Sequence, residues 1–360
     1  VELLSPLSRV HEVDPLIDAG ATELFAGVLT PEWKKAFSTL VASNRRETTI
    51  SNFPTLKELE EAVGRAHERK VPVHLTLNLS FYTSRQHERV GRLMDSAAGL
   101  GIDGFLIADL PTMLRCRQEY PDIAVHVSTI APSFNRSTLQ FYTDIGAARA
   151  VLPRHVALEE VTGLAKDTPL DIEVFVLNNP CPNVDGFCTF THGVHEATAS
   201  RVGRFGRALR HSHWAIALAR HAPAGLLGLA RKLPGLIPPP CMLAYDIDVV
   251  AVGGLALESV AASRAHVSAN MRPKTSVDCG ACSLRTLLNA GVKAIKIDGR
   301  TNDTTRKIKD VRYLAALLEL ARDDGITDAE LCRRTRERFQ EEYSGVCVDR
   351  SCYYREFVPR

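Results

Sequence analysis

The chain reads as an α/β protein closing a (β/α)8, TIM-like barrel, with a long insertion between strands seven and eight and a C-terminal helical extension. Three observations predict this. Short apolar runs alternate with amphipathic stretches at a steady interval, as strands alternate with helices around a parallel sheet. Eight such runs occur and all are short, which favours a closed barrel over an open doubly wound sheet. No GxGxxG follows the first run, which weakens a dinucleotide-binding reading.

The runs that predict strands are Glu2–Leu4, Glu23–Ala26, Val73–Asn78, Gly104–Ile107, Ala124–Val127, Ala150–Leu152, Ile172–Leu177 and Ala294–Ile297. Helical spacing of apolar residues marks Thr55–Arg69, Arg85–Leu100, Arg136–Ile145 and Leu158–Ala165 between them, and Asp328–Tyr343 after the last strand. DAGATELF, GLGIDGFLI and NAGVKAIKI each place a glycine just before a strand, where it can end the preceding helix with a positive φ. The alternation breaks over residues 178–278, a stretch of about a hundred residues, and an excursion of that length is more than a connection. The expected organisation is a barrel over 1–326 with 178–278 inserted in it, followed by a helix and a cysteine-containing tail over 327–360.

A length of 360 residues suffices for a large core. The formal net charge of +2 excludes a chain that is basic throughout, so a generic electrostatic DNA binder is not indicated. The first residues, VELLSPLSRV, lack the basic region and long apolar stretch of a signal peptide. No run is long enough to span a membrane. The expectation is a cytoplasmic protein with reduced thiols, which turns attention from disulfides to metals.

Seven of the nine cysteines lie in loop-like contexts: PCPNVDGFC (Cys181, Cys188), IPPPC (Cys241), CGAC (Cys279, Cys282) and CVDRSC (Cys347, Cys352). Core cysteines are usually scattered singly on apolar faces. Thiols gathered at turns suit a soft metal or an iron–sulfur cluster, whose several thiolates must converge from adaptable backbone. CGAC with CVDRSC could alternatively hold a structural zinc ion, because C-x2-C is a common half-site. Cys116 and Cys332 fall within helical patterns and are expected to have no metal role. His192 and His195 in the insertion could be ligands, although loop histidines near a cavity more often meet substrate or water. The insertion also contains Arg201–Lys232, which carries no acidic residue and repeats arginine at 201, 204, 207 and 210. That segment is either a solvated helix face or a surface for an anionic substrate, an RNA or a partner.

ELLSP, DAGATELFAG, HVSTIAPSFN, AVLPR, IEVFV followed by Cys-x6-Cys, and NAGVKAIKIDGR occur in that order. The ordered set resembles, over nearly the whole chain, the collagenase-like peptidase family (peptidases of unknown catalytic type, family U-32). That family includes the anaerobic ubiquinone-biosynthesis hydroxylase proteins and hydroxylases of bacterial tRNA and ribosomal RNA. The resemblance implies a TIM-like barrel, a four-cysteine [4Fe–4S] cluster, and oxygen-independent hydroxylation with prephenate as the suggested oxygen donor. Cys181 and Cys188 match the first two cluster cysteines, and Cys241 matches a later one. The family's hydroxylases place another cysteine soon after the first pair, whereas none occurs here between Thr189 and Pro240. CGAC is expected to supply the fourth ligand. Cys282 lies nearest a helix pattern starting near Ser283, whose dipole would favour a thiolate, while Cys279 matches a cysteine that many members carry. Ile130 stands where the family commonly has glutamine, and Asp298 where it more often has glutamate.

Barrel active sites form at the C-terminal ends of the strands. That rule collects His126, Asn78 and Asp298 as catalytic candidates, with Arg154, Arg300, Ser128, Glu173 and Lys296 as substrate-binding candidates and Asp109 beside them. A histidine near neutral pKa suits acid–base work, and guanidiniums hold carboxylates in a bidentate grip, as a dicarboxylate donor such as prephenate requires. A peptidase is less well supported, because no GxSxG or HExxH occurs. The expected activity is an iron–sulfur-dependent hydroxylase acting on a small aromatic metabolite or RNA; the balanced charge inclines the reading towards the metabolite. The alternative is a non-catalytic cluster- or zinc-binding subunit working with a homologous partner chain.

Overall fold

The computed structural model describes residues 1–37, 42–46, 50–178, 181, 184–187, 277–343, 347 and 352–354. Eight parallel strands close a barrel in sequence order, with β1 paired to β8. In chain order the elements are β1 (Glu2–Leu7), α1 (Val13–Asp18), β2 (Glu23–Ala26), α2 (Pro31–Phe37), α3 (Leu56–Glu68), β3 (Val73–Leu77), α4 (Ser84–Gly99) and β4 (Gly104–Ile107). Next come α5 (Leu110–Glu119), β5 (Ala124–Val127), α6 (Arg136–Asp144), β6 (Arg149–Val151), α7 (Leu158–Asp167) and β7 (Asp171–Leu177). Then α8 (Leu284–Asn289), β8 (Ala294–Ile297), α9 (Thr304–Arg322) and α10 (Asp328–Tyr343) complete the described elements. The eight expected strands are present with ends shifted by at most a few residues, and α10 has the expected bounds. α1, α2 and α9 were not singled out in the sequence, and α5 was marked there only by the helical context of Cys116.

The helix-ending glycines behave as their sequence contexts predict. Gly20, Gly101 and Gly291 have φ of 111°, 83° and 84°, which a residue with a Cβ adopts only at a cost. Helix starts are capped by side chains: Thr55 accepts from the Glu58 N–H, Asn135 from Thr138 and Asp303 from Arg306. Each such cap contributes about 1 kcal/mol.

Alternation along the strands sorts the residues into two environments. Leu24, Ala26, Val73, Leu75, Leu77, Phe105, Ile107, Val125, Val127, Ile172, Val174, Ile295 and Ile297 belong to one large buried cluster, the layer between barrel and helices. Leu4, Phe25 and Leu106 form a separate small cluster on the opposite strand faces, which turn into the lumen. Barrel lumens are usually filled by branched apolar side chains; this one also buries Glu23, His74, His126, Arg149, Glu173 and Lys296. Arg149 grips Glu23 with Nη1 to Oε2 at 2.6 Å and Nη2 to Oε1 at 2.9 Å. It reaches Glu173 at 3.2 Å, and Lys296 Nζ donates to Glu173 at 2.7 Å. The His74 ring nitrogen lies 3.2 Å from Glu23. One chain of charges thus ties β2, β3, β6, β7 and β8 across the barrel.

The hundred-residue insertion, including Cys188, Cys241, His192, His195 and Arg201–Lys232, lies outside the described residues apart from Asn178, Cys181, residues 184–187 and the two positions 277 and 278. The C-terminal extension packs back on the barrel. Cys352 pairs with Cys279, which pairs in turn with Leu177 at the end of β7. Among the described residues no helix is long and apolar enough to cross a membrane.

Burial alone would raise the Glu23 pKa, but hydrogen bonds and charge from Arg149 and His74 outweigh it and hold the group at about 2, below the ordinary 4.5. A carboxylate with a depressed folded pKa stabilises the fold above its unfolded pKa and loses that contribution as pH falls through the folded value. The protein should therefore lose about 3 kcal/mol between pH 4.5 and 2 from this group. Urea titrations at stepped pH check this. Glu23→Gln should be less stable at neutral pH, because Arg149 loses its partner, and should lose less over that acid window.

Candidate active site at the C-terminal mouth of the barrel

Asp298, one residue beyond β8, is the hub of the mouth. Its Oδ1 accepts from the Gly299 N–H at 2.6 Å, and Arg154 Nη2 donates to Oδ2 at 3.3 Å. Arg46 Nη2 lies 3.8 Å from the same oxygen. Arg154 also donates from Nη1 to Asp185 Oδ1 at 2.9 Å, and its N–H donates to Oδ2 at 3.1 Å. Its guanidinium lies over the Phe175 ring at 4.3 Å. Burial works against the Arg154 charge, but Asp185, Tyr353, Asp298 and Cys181 outweigh it and raise its pKa.

Arg300 occupies the opposite side of the mouth. Nη1 donates to Thr76 Oγ1 at 2.9 Å and Nη2 to Asn44 Oδ1 at 3.2 Å. Asn44 Nδ2 donates to Asn52 Oδ1, and Asn52 Nδ2 to the Arg46 carbonyl. Asn78 accepts from the Arg45 N–H at 3.2 Å. Residues 42–46 and 52 thus form one wall of the mouth. Gly27 makes this possible: a Cβ there would lie 2.1 Å from Arg300 Nη1 and 2.3 Å from Asn52 Oδ1.

Asp298, Arg154, Arg300 and Asn78 are therefore brought to the mouth. His126, Glu173 and Lys296 lie one layer deeper, because strand residues two apart share a face and these precede the strand ends. His126 is 3 % exposed, with its ring centroid 4.5 Å from that of His74. Burial first, then the charges of His74, Arg149 and Lys296, push its pKa well below the ordinary value, so it is a neutral imidazole within the wall. Glu173 is fully buried between Arg149 and Lys296. Ser128 is buried, its Oγ 3.5 Å from the Ile130 N–H. Asp109 caps α5 through Thr112 at 3.0 Å and meets His87 at 3.4 Å. Arg46, Asp185, Asn44, Asn52 and Phe175 were not singled out in the sequence. Asp185, between Cys181 and Cys188, carried the one usable signal.

Asn178, at φ 69°, locks the end of β7. Its Nδ2 donates to Asp310 at 2.6 Å and to the Asp298 carbonyl at 3.1 Å, and the Tyr353 hydroxyl donates to its own carbonyl. Beside it, the Ala281 N–H donates to Cys279 Sγ at 3.4 Å, and the Tyr313 hydroxyl lies 3.6 Å from that sulfur. Burial pushes the Cys279 thiol up to about 12, with the Ala281 and Tyr313 hydrogen bonds opposing it. Cys282, the expected fourth ligand, has Cys332 Sγ 3.2 Å from its sulfur. α8 spans only Leu284–Asn289, too short for a strong dipole. Among the described residues no three His, Cys, Asp or Glu side chains close on a common metal position.

The model of peptidase family U32 matches residues 8–352. The chain belongs to peptidase family U32. tRNA hydroxylation protein P2 of Bacillus subtilis (strain 168) is 26% identical over 180 residues, which cover 50% of this U32 chain and 53% of that protein. tRNA hydroxylation protein P of Helicobacter pylori is 28% identical over 191 residues, covering 52% and 42%. The 23S rRNA 5-hydroxycytidine C2501 synthase of Escherichia coli (strain K12) is 25% identical over 147 residues, covering 41% and 22%. The matched region spans about half of the first relative's length and less of the other two.

Gly27→Ala should drive the Arg300 guanidinium off Thr76 and Asn44, because the added carbon has no room beside it. Overpacking of this kind costs about 1–3 kcal/mol, read by chemical denaturation. Stability equal to the parent's would mean that the mouth is looser than this geometry.

Proposed function

We propose that this U32 protein is an iron–sulfur-dependent, oxygen-independent hydroxylase of RNA. The observation that carries the reading is the convergence of Arg154, Arg46 and the Asp298 carboxylate at the mouth, with Arg300 across from them. The names of the relatives favour RNA over the aromatic metabolite towards which the charge balance inclined the sequence reading.

The donor chemistry near the mouth suits a thiolate-bound cluster. The Cys279 sulfur already receives a backbone N–H, and such bonds favour the thiolate form. In our reading Cys181, Cys188, Cys241 and Cys279 hold a [4Fe–4S] cluster. Cys279 takes the place expected of Cys282, whose sulfur lies against Cys332. When bound, the cluster would supply the electron-transfer chemistry that an oxygen-independent hydroxylation needs. The chain's own groups do the rest. Arg300 and Arg154 bind the carboxylates of a dicarboxylate oxygen donor of the prephenate kind, using the paired N–H geometry of the guanidinium. Asp298 holds Arg154 and Arg46 in place and is the carboxylate positioned to take a proton at the mouth. Phe175 backs the Arg154 guanidinium and keeps water from that face. His126, buried and neutral, supports the wall.

The burial of His126, together with Ile130 in place of the family's glutamine, favours a second reading: a cluster-bearing subunit that needs a homologous partner chain for turnover. Co-purification of such a chain, with no hydroxylation by this one alone, would select it.

Anaerobically purified protein should be brown, with about four irons per chain. Cys279→Ser should lose iron on reconstitution, and Cys282→Ser should keep it. A colourless protein holding only zinc, or iron lost from Cys282→Ser alone, would sink the assignment. Nucleosides from a deletion strain, compared with the parent by mass spectrometry, should lack a hydroxylated pyrimidine that the intact gene restores and an Arg300→Lys version restores poorly. An unchanged nucleoside profile would reject RNA as the substrate.

A further inference from the structure

The rim of the mouth beside β2 and β3 carries charge and an aromatic ring that the arginine site does not use. α2, the segment 42–46 and the start of α4 meet there. Among the described residues of 31–37, 42–46 and 79–89, Lys34, Lys35, Arg45, Arg85 and Arg89 stand with Glu32 and Glu88 as the acids, Arg46 being paired with Asp298. The described part of this rim therefore carries a local excess of basic residues. The pieces form one surface. Arg85 and Arg89 lie over the Phe37 ring at 5.7 and 5.8 Å, joining α4 to α2. The Tyr82 hydroxyl donates to the Ser43 carbonyl at 2.6 Å, joining the loop after β3 to the segment 42–46. Arg46 connects that segment to Asp298 at the centre of the mouth.

Phe81 projects from this surface. It is 73 % exposed, whereas the adjacent Tyr82 is 6 % exposed. The loop that carries it is anchored by Tyr82 and by the Thr83 N–H donating to Gln86 Oε1 at 2.8 Å. An isolated exposed apolar residue means little. A ring held out on an anchored loop, among cations, at the edge of a candidate active site has the composition of a single-strand nucleic-acid platform: a face for stacking and guanidiniums for phosphates.

We infer that this rim holds the single-stranded RNA beside the target nucleotide, Phe81 stacking on one base while Arg85, Arg89 and Arg45 contact phosphates. The inference rests on the reading of the mouth as an RNA hydroxylase site and assigns the strand a path over the described residues of the rim. Arg85 is exposed whereas Arg89 is half-buried, so Arg85 should contribute more.

The test uses the full chain and a fluorescently labelled tRNA stem-loop, with affinity read by anisotropy at several salt concentrations. Phe81→Ala should weaken binding about ten-fold, the usual loss for one stacked base, and Phe81→Tyr should retain it. Arg85→Gln should weaken binding at low salt and make the slope of log affinity against log salt shallower by about 0.7, one phosphate contact on a single strand. The thermal midpoint of Phe81→Ala should match the parent's, because that side chain is exposed, and Arg85→Gln should lower it only by the loss of its exposed contact with the Phe37 ring. If the parent binds the stem-loop but Phe81→Ala and Arg85→Gln bind equally well with the same salt slope, the rim assignment fails and the RNA reading stands. If the parent binds no stem-loop or total tRNA, both fail. If the variants lose a co-purifying protein while their RNA affinity is unchanged, the rim belongs to a protein partner and the inference is overturned.

Discussion

The bidentate pair between Arg149 and Glu23 is the interaction on which the rest of the barrel depends. A buried charge without a partner destabilises a protein by about 3–5 kcal/mol, so charges placed inside a lumen must be fully matched. Here they are matched in series: His74 to Glu23, Glu23 to Arg149, Arg149 to Glu173 and Glu173 to Lys296. Because the partners come from β2, β3, β6, β7 and β8, each pairing also sets the relative height of two strands that are not all neighbours in the sheet. An apolar layer would tolerate small slips between strands. A charged layer of this kind does not.

The mouth inherits its geometry from that layer. Lys296 belongs to the charged series, and Asp298 and Arg300 follow it on β8 and the turn after it. Arg154 follows β6, the strand that carries Arg149. With β6 and β8 held in register through Glu173, Arg154 and Asp298 meet at 3.3 Å. Lys296 Nζ, 4.3 Å from the Phe25 ring centroid, and Phe175 under Arg154 separate the two layers, so the deeper charges are shielded from what enters the mouth. This division of labour explains why His126, Glu173 and Lys296 carry titratable groups yet are spent on architecture.

The C-terminal tail is the second support. Tyr353 closes on the Asn178 carbonyl, Cys352 extends the bridge through Cys279 to Leu177, and Tyr354 packs against Gly280. β7 is therefore held at its C-terminal end by residues 175 positions away in sequence. Cys279 is bridged to Cys352 by that closure, whereas the sulfur of Cys282, three residues on, lies against Cys332 in α10.

The order and type of the elements were legible in the sequence, because strand and helix periodicities and the glycines before strands are local signals. So were Asp298, Arg154, Arg300 and Asn78, since a residue just past a barrel strand reaches the mouth whatever its neighbours do. The depth of a side chain was not legible. His126 and Ser128 differ by one pleat, and only the register between strands decides which layer each occupies. Arg46, Asn44 and Asn52 could not be found either, because their loop reaches the mouth through contacts with Arg300, Asn78 and Tyr82 that no local pattern encodes. The partner of Cys282 is likewise a matter of how α10 docks. Local periodicity set what each segment became; long-range pairing of buried charges and the docking of the tail decided which of its residues face chemistry.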